Sequence, residues 1–112
     1  MNEERRRSPR FAAHGRARLE VGDTSSEGRL CDICRDAALV ELDAPQTLGA
    51  DVRLLVELPG TGDGEIAVSG TVIRVVQGDQ GRHAAAVLFR GLPPAAAARI
   101  EFFLALQTGL DR

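Results

Sequence analysis

Val52-Arg53-Leu54-Leu55-Val56-Glu57-Leu58, followed by Pro59-Gly60-Thr61-Gly62-Asp63-Gly64, decides the fold. Val52, Leu54, Val56 and Leu58 alternate with Arg53 and Glu57, the two-residue period of a strand with one dry face and one wet face. The Pro- and Gly-rich stretch stops the strand and reverses the chain, so Ile66 to Val76 must return antiparallel. Ile66, Val68, Val72 and Val76 share one face of this long segment. Gly70 in its middle predicts the bend or bulge by which a sheet curls into a barrel. Ile73 and Val75 fall on the other face, which predicts cover on both sides there.

Upstream, Gly15, Ala17, Leu19 and Val21 alternate with Arg16, Arg18 and Glu20 as a first strand. Residues Gly22 to Gly28 are all turn formers, which predicts a reversal there and a second strand over Arg29 to Cys34. Ala38, Val40 and Leu42 make a short third strand, ending before Asp43-Ala44-Pro45. Downstream, Gln77 to Gly81 is a turn and His83 to Phe89 closes the series. Six strands with short connections predict an antiparallel β-barrel. The period then changes: Pro93-Pro94 suits a helix start, Ala96, Ala97, Ile100, Phe103, Leu104 and Gln107 follow helical spacing, and Gly109 is placed to end the helix. Phe89, Phe102 and Phe103 are expected to supply much of the large-side-chain packing.

A chain of 112 residues holds one core, and a net charge of -2 argues against a basic nucleic-acid binder. No apolar run approaches a membrane span, and Asn2-Glu3-Glu4 leads into arginines with no signal-peptide core behind it. A cytoplasmic protein without membrane insertion is expected. Two cysteines give no disulfide framework, in keeping with a reducing compartment.

The positive charge is concentrated in Arg5-Arg6-Arg7-Ser8-Pro9-Arg10. Pro9 disfavours a helix here, and in an extended or turn-like arm Arg6 and Arg10 can still point to one side. Two guanidiniums on one side form a fork for phosphate or carboxylate and flat faces for a purine. By charge alone the same run reads equally as a solvated tail. The organisation expected is an arginine arm over residues 1–12 and a barrel with a C-terminal helix over 13–112.

Leu30-Cys31-Asp32-Ile33-Cys34-Arg35-Asp36-Ala37-Ala38, taken with Arg6 and Arg10, resembles the PilZ domain, whose signature is R-x-x-x-R in an N-terminal arm and [D/N]-x-S-x-x-G on a neighbouring strand. Leu48-Gly49, Leu58-Pro59, Gly70-Thr71-Val72-Ile73-Arg74-Val75 and Val87-Leu88-Phe89 extend the resemblance over nearly the whole chain. The resemblance implies a six-stranded barrel with a C-terminal helix and the ligand cyclic di-GMP. Arg6 and Arg10 would hold phosphate and guanine, and Asp32 would accept from a guanine edge, as their chemistry permits.

Two positions depart from the signature. Cys34 stands where the family has Ser, and a thiol is a poor hydrogen-bonding group. Ala37 stands where the family has Gly, whose use is a positive φ or close backbone approach. Two readings follow: a receptor that binds cyclic di-GMP and relays it to a protein partner in motility, pilus or surface-behaviour regulation, or a degenerate domain that acts as a protein-interaction scaffold. A monomer or homodimer suits either. In the scaffold reading the partner surface would be the helix face around Arg99, Glu101 and Phe102.

Cys31 and Cys34 form C-x-x-C, with His14 and His83 elsewhere in the chain, but residues three apart on a strand point to opposite faces, which disfavours a metal or redox pair. No nucleophile, base and orienter fall together, so no enzyme, metal or cofactor is expected. Nucleic-acid binding is disfavoured by the net charge and by the lack of a basic stripe beyond the arm.

Overall fold

The computed structural model describes residues 11–12, 14–62, 64–77 and 81–107. Seven strands and one helix follow in order: β1 (Phe11–Ala12), β2 (Arg16–Val21), β3 (Thr24–Ile33), β4 (Ala37–Leu42), β5 (Asp51–Val56), β6 (Ile66–Gln77), β7 (His83–Phe89) and α1 (Pro94–Gln107). Six of them close an antiparallel barrel in the order β3-β2-β5-β6-β7-β4, with β4 pairing back onto β3, and the two-residue β1 adds beside the end of β3. Closure leaves the six barrel strands with neighbours on both sides.

The predicted alternation on β5 holds: Val52, Leu54 and Val56 are buried while Asp51 and Arg53 are exposed. Leu19, Leu30, Val40, Leu42, Val68, Val72, Ala85 and Val87 complete the barrel interior. On α1 the buried side chains Ala96, Ile100, Phe103 and Leu104 recur at helical spacing and join the same core. Arg99 fastens the helix to the β5–β6 loop, donating to Thr61 Oγ1 and to the carbonyls of Gly62 and Gly64 at 3.4 and 3.0 Å.

Several expectations are corrected. The reversal after β2 is not a seven-residue turn: Val21 already pairs with Thr24, and β3 runs from there straight through Gly28. Gly22, at φ +57°, makes the tight turn with Asp23, and Thr24, Ser25, Ser26 and Glu27, which resemble a loop, are strand residues, all exposed but half-buried Ser26, which accepts from Gln46 Nε2 at 3.1 Å. Gly28 serves a close approach, since a Cβ there would fall on the carbonyl of Glu41 on β4. The bulge in β6 lies at Ile73, where the pairing with β7 slips between Val72 and Arg74. Gly70 is instead a contact point, where a Cβ would come within 2.6 Å of the Leu88 carbonyl. The slip ends the simple alternation, so Val76 is not on the buried face, and Ile73, Val75 and Val76 are all exposed rather than covered. Phe103 is buried as expected, but Phe102 is 46% exposed.

Candidate functional site

The C-terminal end of β3 carries the candidate site. Leu30 pairs with Val40 and Asp32 with Leu39, so Cys31 is an extra residue bulged between them. The consequence is a change of face: Leu30 and Ile33 are both fully buried, while Cys31 and Asp32 between them are half-buried on the outside. Without the bulge, a period of two could not place both Leu30 and Ile33 inside. The bulge therefore aims Asp32 outward next to a fixed core.

β1 docks on this same end, with Phe11 opposite Ile33 and Ala12 opposite Asp32. The arginine arm therefore joins the barrel through the residue pair that flanks Asp32. Arg6 and Arg10 themselves lie outside the described residues. The other signature positions meet in the turn after β3, where the Cys34 N–H donates to the Ala37 carbonyl at 2.8 Å. Cys34 is buried, and Ala37 opens β4 in register with Leu88 of β7. Extended strand geometry at Ala37 tolerates a Cβ, so of the two uses of glycine here only close approach by another group remains.

Along the outer face, the register sets Asp32, Leu39, Ala86 and Arg74 in one row and Arg16, Arg29, Glu41, Ala84 and Val76 in the next. Glu41 Oε1 receives Arg29 Nη2 at 3.1 Å and lies 3.5 Å from Arg82 Nε. Arg16, Arg29 and Arg82 thus share one outer row with Glu41, and with Glu57 opposite Arg16, a grouping the sequence reading did not find. They stand on different strands or strand ends, far apart in the chain, and only the pairing of β2, β3, β4 and β7 brings them together. No linear spacing signals it.

Burial, and then the Glu41 carboxylate, push the Cys31 thiol above its ordinary value, against the pull of Arg29 and Arg82. Such a thiol is mostly protonated at neutral pH and is a poor nucleophile or metal ligand. Among the described residues no three His, Cys, Asp or Glu side chains group so as to hold a metal.

A depression of about 450 Å³ lies elsewhere, lined by Glu20, Asp51, Arg53, Ser69 and Arg90 among others. Its charges are matched to one another, Arg53 with Glu20 at 3.2 Å and Arg90 with Asp51 at 3.9 Å, and it adjoins neither Asp32 nor β1. No described helix is long and apolar enough to cross a membrane.

A closed six-stranded antiparallel barrel with a C-terminal helix, and with β1 docked on β3 beside Asp32, defines the class of domain. The chain belongs to the PilZ domain family, which matches residues 4–106. Members of that family are non-catalytic domains that typically bind cyclic di-GMP. No curated protein sequence matches the chain.

Solved structures share the fold at low identity. The inhibitor of motility MotI/DgrA of Bacillus subtilis superposes with a TM-score of 0.77 at 15% identity, over 96% of this chain and 53% of that one. The PilZ domain of YcgR from Escherichia coli, solved with c-di-GMP, gives 0.70 at 15% identity over 93% and 92% of the two chains. The K. pneumonia MrkH–c-di-GMP complex gives 0.70 at 20% identity over 96% and 54%. The chain thus spans about half of MotI and MrkH and nearly all of the isolated YcgR domain.

Proposed function

We propose that the chain binds cyclic di-GMP on the outer face of β3 and β4 and relays its presence to a protein partner in motility, pilus or surface-behaviour regulation, as a cytoplasmic monomer or homodimer. Arg6 and Arg10 hold phosphate and guanine, and Asp32 accepts from the guanine N–H groups. The observation that carries this reading is the pairing of Phe11 and Ala12 with Ile33 and Asp32, which joins the arm to the strand bearing the carboxylate. Family membership supports it, and so does the chemistry of guanidinium toward phosphate and the O6/N7 edge of guanine.

Cys34 and Ala37 lie in the turn beyond Asp32, where the family signature has Ser and Gly. Loss of one neutral hydrogen bond and of close backbone approach each weakens binding by on the order of 1 kcal/mol, which leaves a weakened receptor. The scaffold reading draws support from the exposed apolar side chains Ile73, Val76 and Leu88 on the same outer face. Calorimetric titration of cyclic di-GMP into the protein, with GTP and GMP as controls, decides between them. Saturable heat with cyclic di-GMP alone supports the receptor; no heat with a folded protein supports the scaffold.

A further inference from the structure

Arg16 of β2 and Arg29 of β3 are directly opposed across an antiparallel pair, both exposed. Like charges in that relation destabilise a sheet. Arg82 adds a third guanidinium to the same patch, and among the described residues Glu41 is the carboxylate paired with them, with Arg29 at 3.1 Å and Arg82 at 3.5 Å. Arg16 forms no ion pair with any described residue. Glu57, opposite Arg16 where β2 meets the end of β5, adds a second carboxylate, so three guanidiniums share the row with two carboxylates and one positive charge is in excess.

Arginine forks have more N–H groups than one carboxylate can accept, and the side chains of Arg29 and Arg82 are 57% and 40% exposed. Arg29 spends Nε and Nη2 on the Glu41 carboxylate, and Arg82 spends Nη2 on the Glu41 carbonyl while its Nε is buried, so the remaining guanidinium N–H groups are the ones open to a ligand. The row lies two residues along β4 from the Asp32–Leu39 row, about 7 Å, and on the same face. That separation is about one nucleotide's reach.

We infer that Arg16, Arg29 and Arg82, poised by Glu41, form a phosphodiester subsite that continues the Asp32 site and holds a phosphate of the bound cyclic dinucleotide. The inference rests on the cyclic di-GMP reading above. Glu41 acts as a placeholder: it orients the two guanidiniums in the free protein and shares them with the phosphate on binding. Planar, permanently charged forks suit this exchange better than lysines would. Asp32 reads the base, and the arginine row holds the backbone.

The test is calorimetric titration of cyclic di-GMP at low and at physiological salt into the wild type and the Arg29→Ala, Arg82→Ala, Arg29→Lys and Glu41→Gln variants. Arg29→Ala and Arg82→Ala are each expected to weaken binding about tenfold and to flatten its salt dependence, as loss of a phosphate contact does. Arg29→Lys keeps the charge and loses the fork, so it should retain the salt slope with an intermediate affinity. Glu41→Gln should tighten binding. The melting temperatures of the arginine variants should change little, because each loses only a solvent-screened pair with Glu41 and Arg29→Ala also relieves its opposition to Arg16. If the wild type binds and the arginine variants match it in affinity and salt slope, the subsite is overturned and the parent reading stands. If the wild type does not bind, both fall. If Arg29→Ala abolishes retention of a duplex DNA probe while leaving the dinucleotide titration unchanged, the row is a nucleic-acid surface and the inference is wrong.

Discussion

Arg35 Nε lies 2.9 Å from Glu101 Oε2, an ion pair that ties the turn between β3 and β4 to the C-terminal helix. Arg35 sits between Cys34 and Ala37, so the turn that departs from the family signature is also the turn that touches α1. Glu101 and Arg99 are both engaged within the chain, Glu101 with this turn and Arg99 with the β5–β6 loop. Of the three helix residues singled out as a partner surface, Phe102 is left as the exposed apolar one.

Both members of that pair are more than half exposed, at 63% and 52% of their side chains, so solvent screens most of its energy. Glu101→Ala is expected to change the unfolding free energy by less than about 1 kcal/mol, read by chemical denaturation. A larger loss would mean that the turn depends on the helix for its fold.

Gly28 and Gly22 make a matched comparison. Added methyl at Gly28 meets the Glu41 backbone, whereas Gly22 has open space and only its positive φ to defend. Gly22→Ala should cost about 1 kcal/mol, and Gly28→Ala distinctly more, on the order of 3 kcal/mol, because two paired strands must separate. Equal costs in urea denaturation would show that β3 and β4 can part cheaply.

For the proposed ligand, Arg6→Ala or Arg10→Ala should abolish cyclic di-GMP binding with the melting temperature nearly unchanged, as expected of arginines on a terminal arm. A melting point lowered by many degrees would give the arm a structural role instead.

Repair of the signature tests receptor against scaffold. Cys34→Ser with Ala37→Gly should tighten cyclic di-GMP binding about tenfold, equivalent to about 1.4 kcal/mol. The buried position of Cys34 adds a second expectation: its hydroxyl replacement should cost about 1 kcal/mol of stability unless it finds a partner. Undetectable binding by the folded double variant would favour the scaffold.

The Cys31 thiol is held up first by burial and next by Glu41, so alkylation should be slow at neutral pH and speed up only in the alkaline range, above about 8.5. Below that range the thiol is protonated both folded and unfolded. As pH rises the unfolded chain ionises first, so this group's contribution to stability is lost through the alkaline range. Glu41→Gln should bring the onset of alkylation down in pH; an unchanged profile would remove Glu41 as a cause.

The alternation of Val52, Leu54 and Val56 and the helical recurrence of Ala96, Ile100, Phe103 and Leu104 were legible in the sequence because each is a local period set by burial on one face. Barrel and helix follow from them. The R-x-x-x-R arm and Asp32 were legible as a pattern, although the roles of Arg6, Arg10, Cys34 and Ala37 remain proposals. Tertiary structure decided the rest, because a β-bulge has no composition of its own: the extra residue at Cys31 turns Asp32 outward, and the one at Ile73 exposes Val76. Strand pairing alone gathers Arg16, Arg29, Glu41 and Arg82, since side chains on separate strands become neighbours only through register, which long-range hydrogen bonding and core packing set.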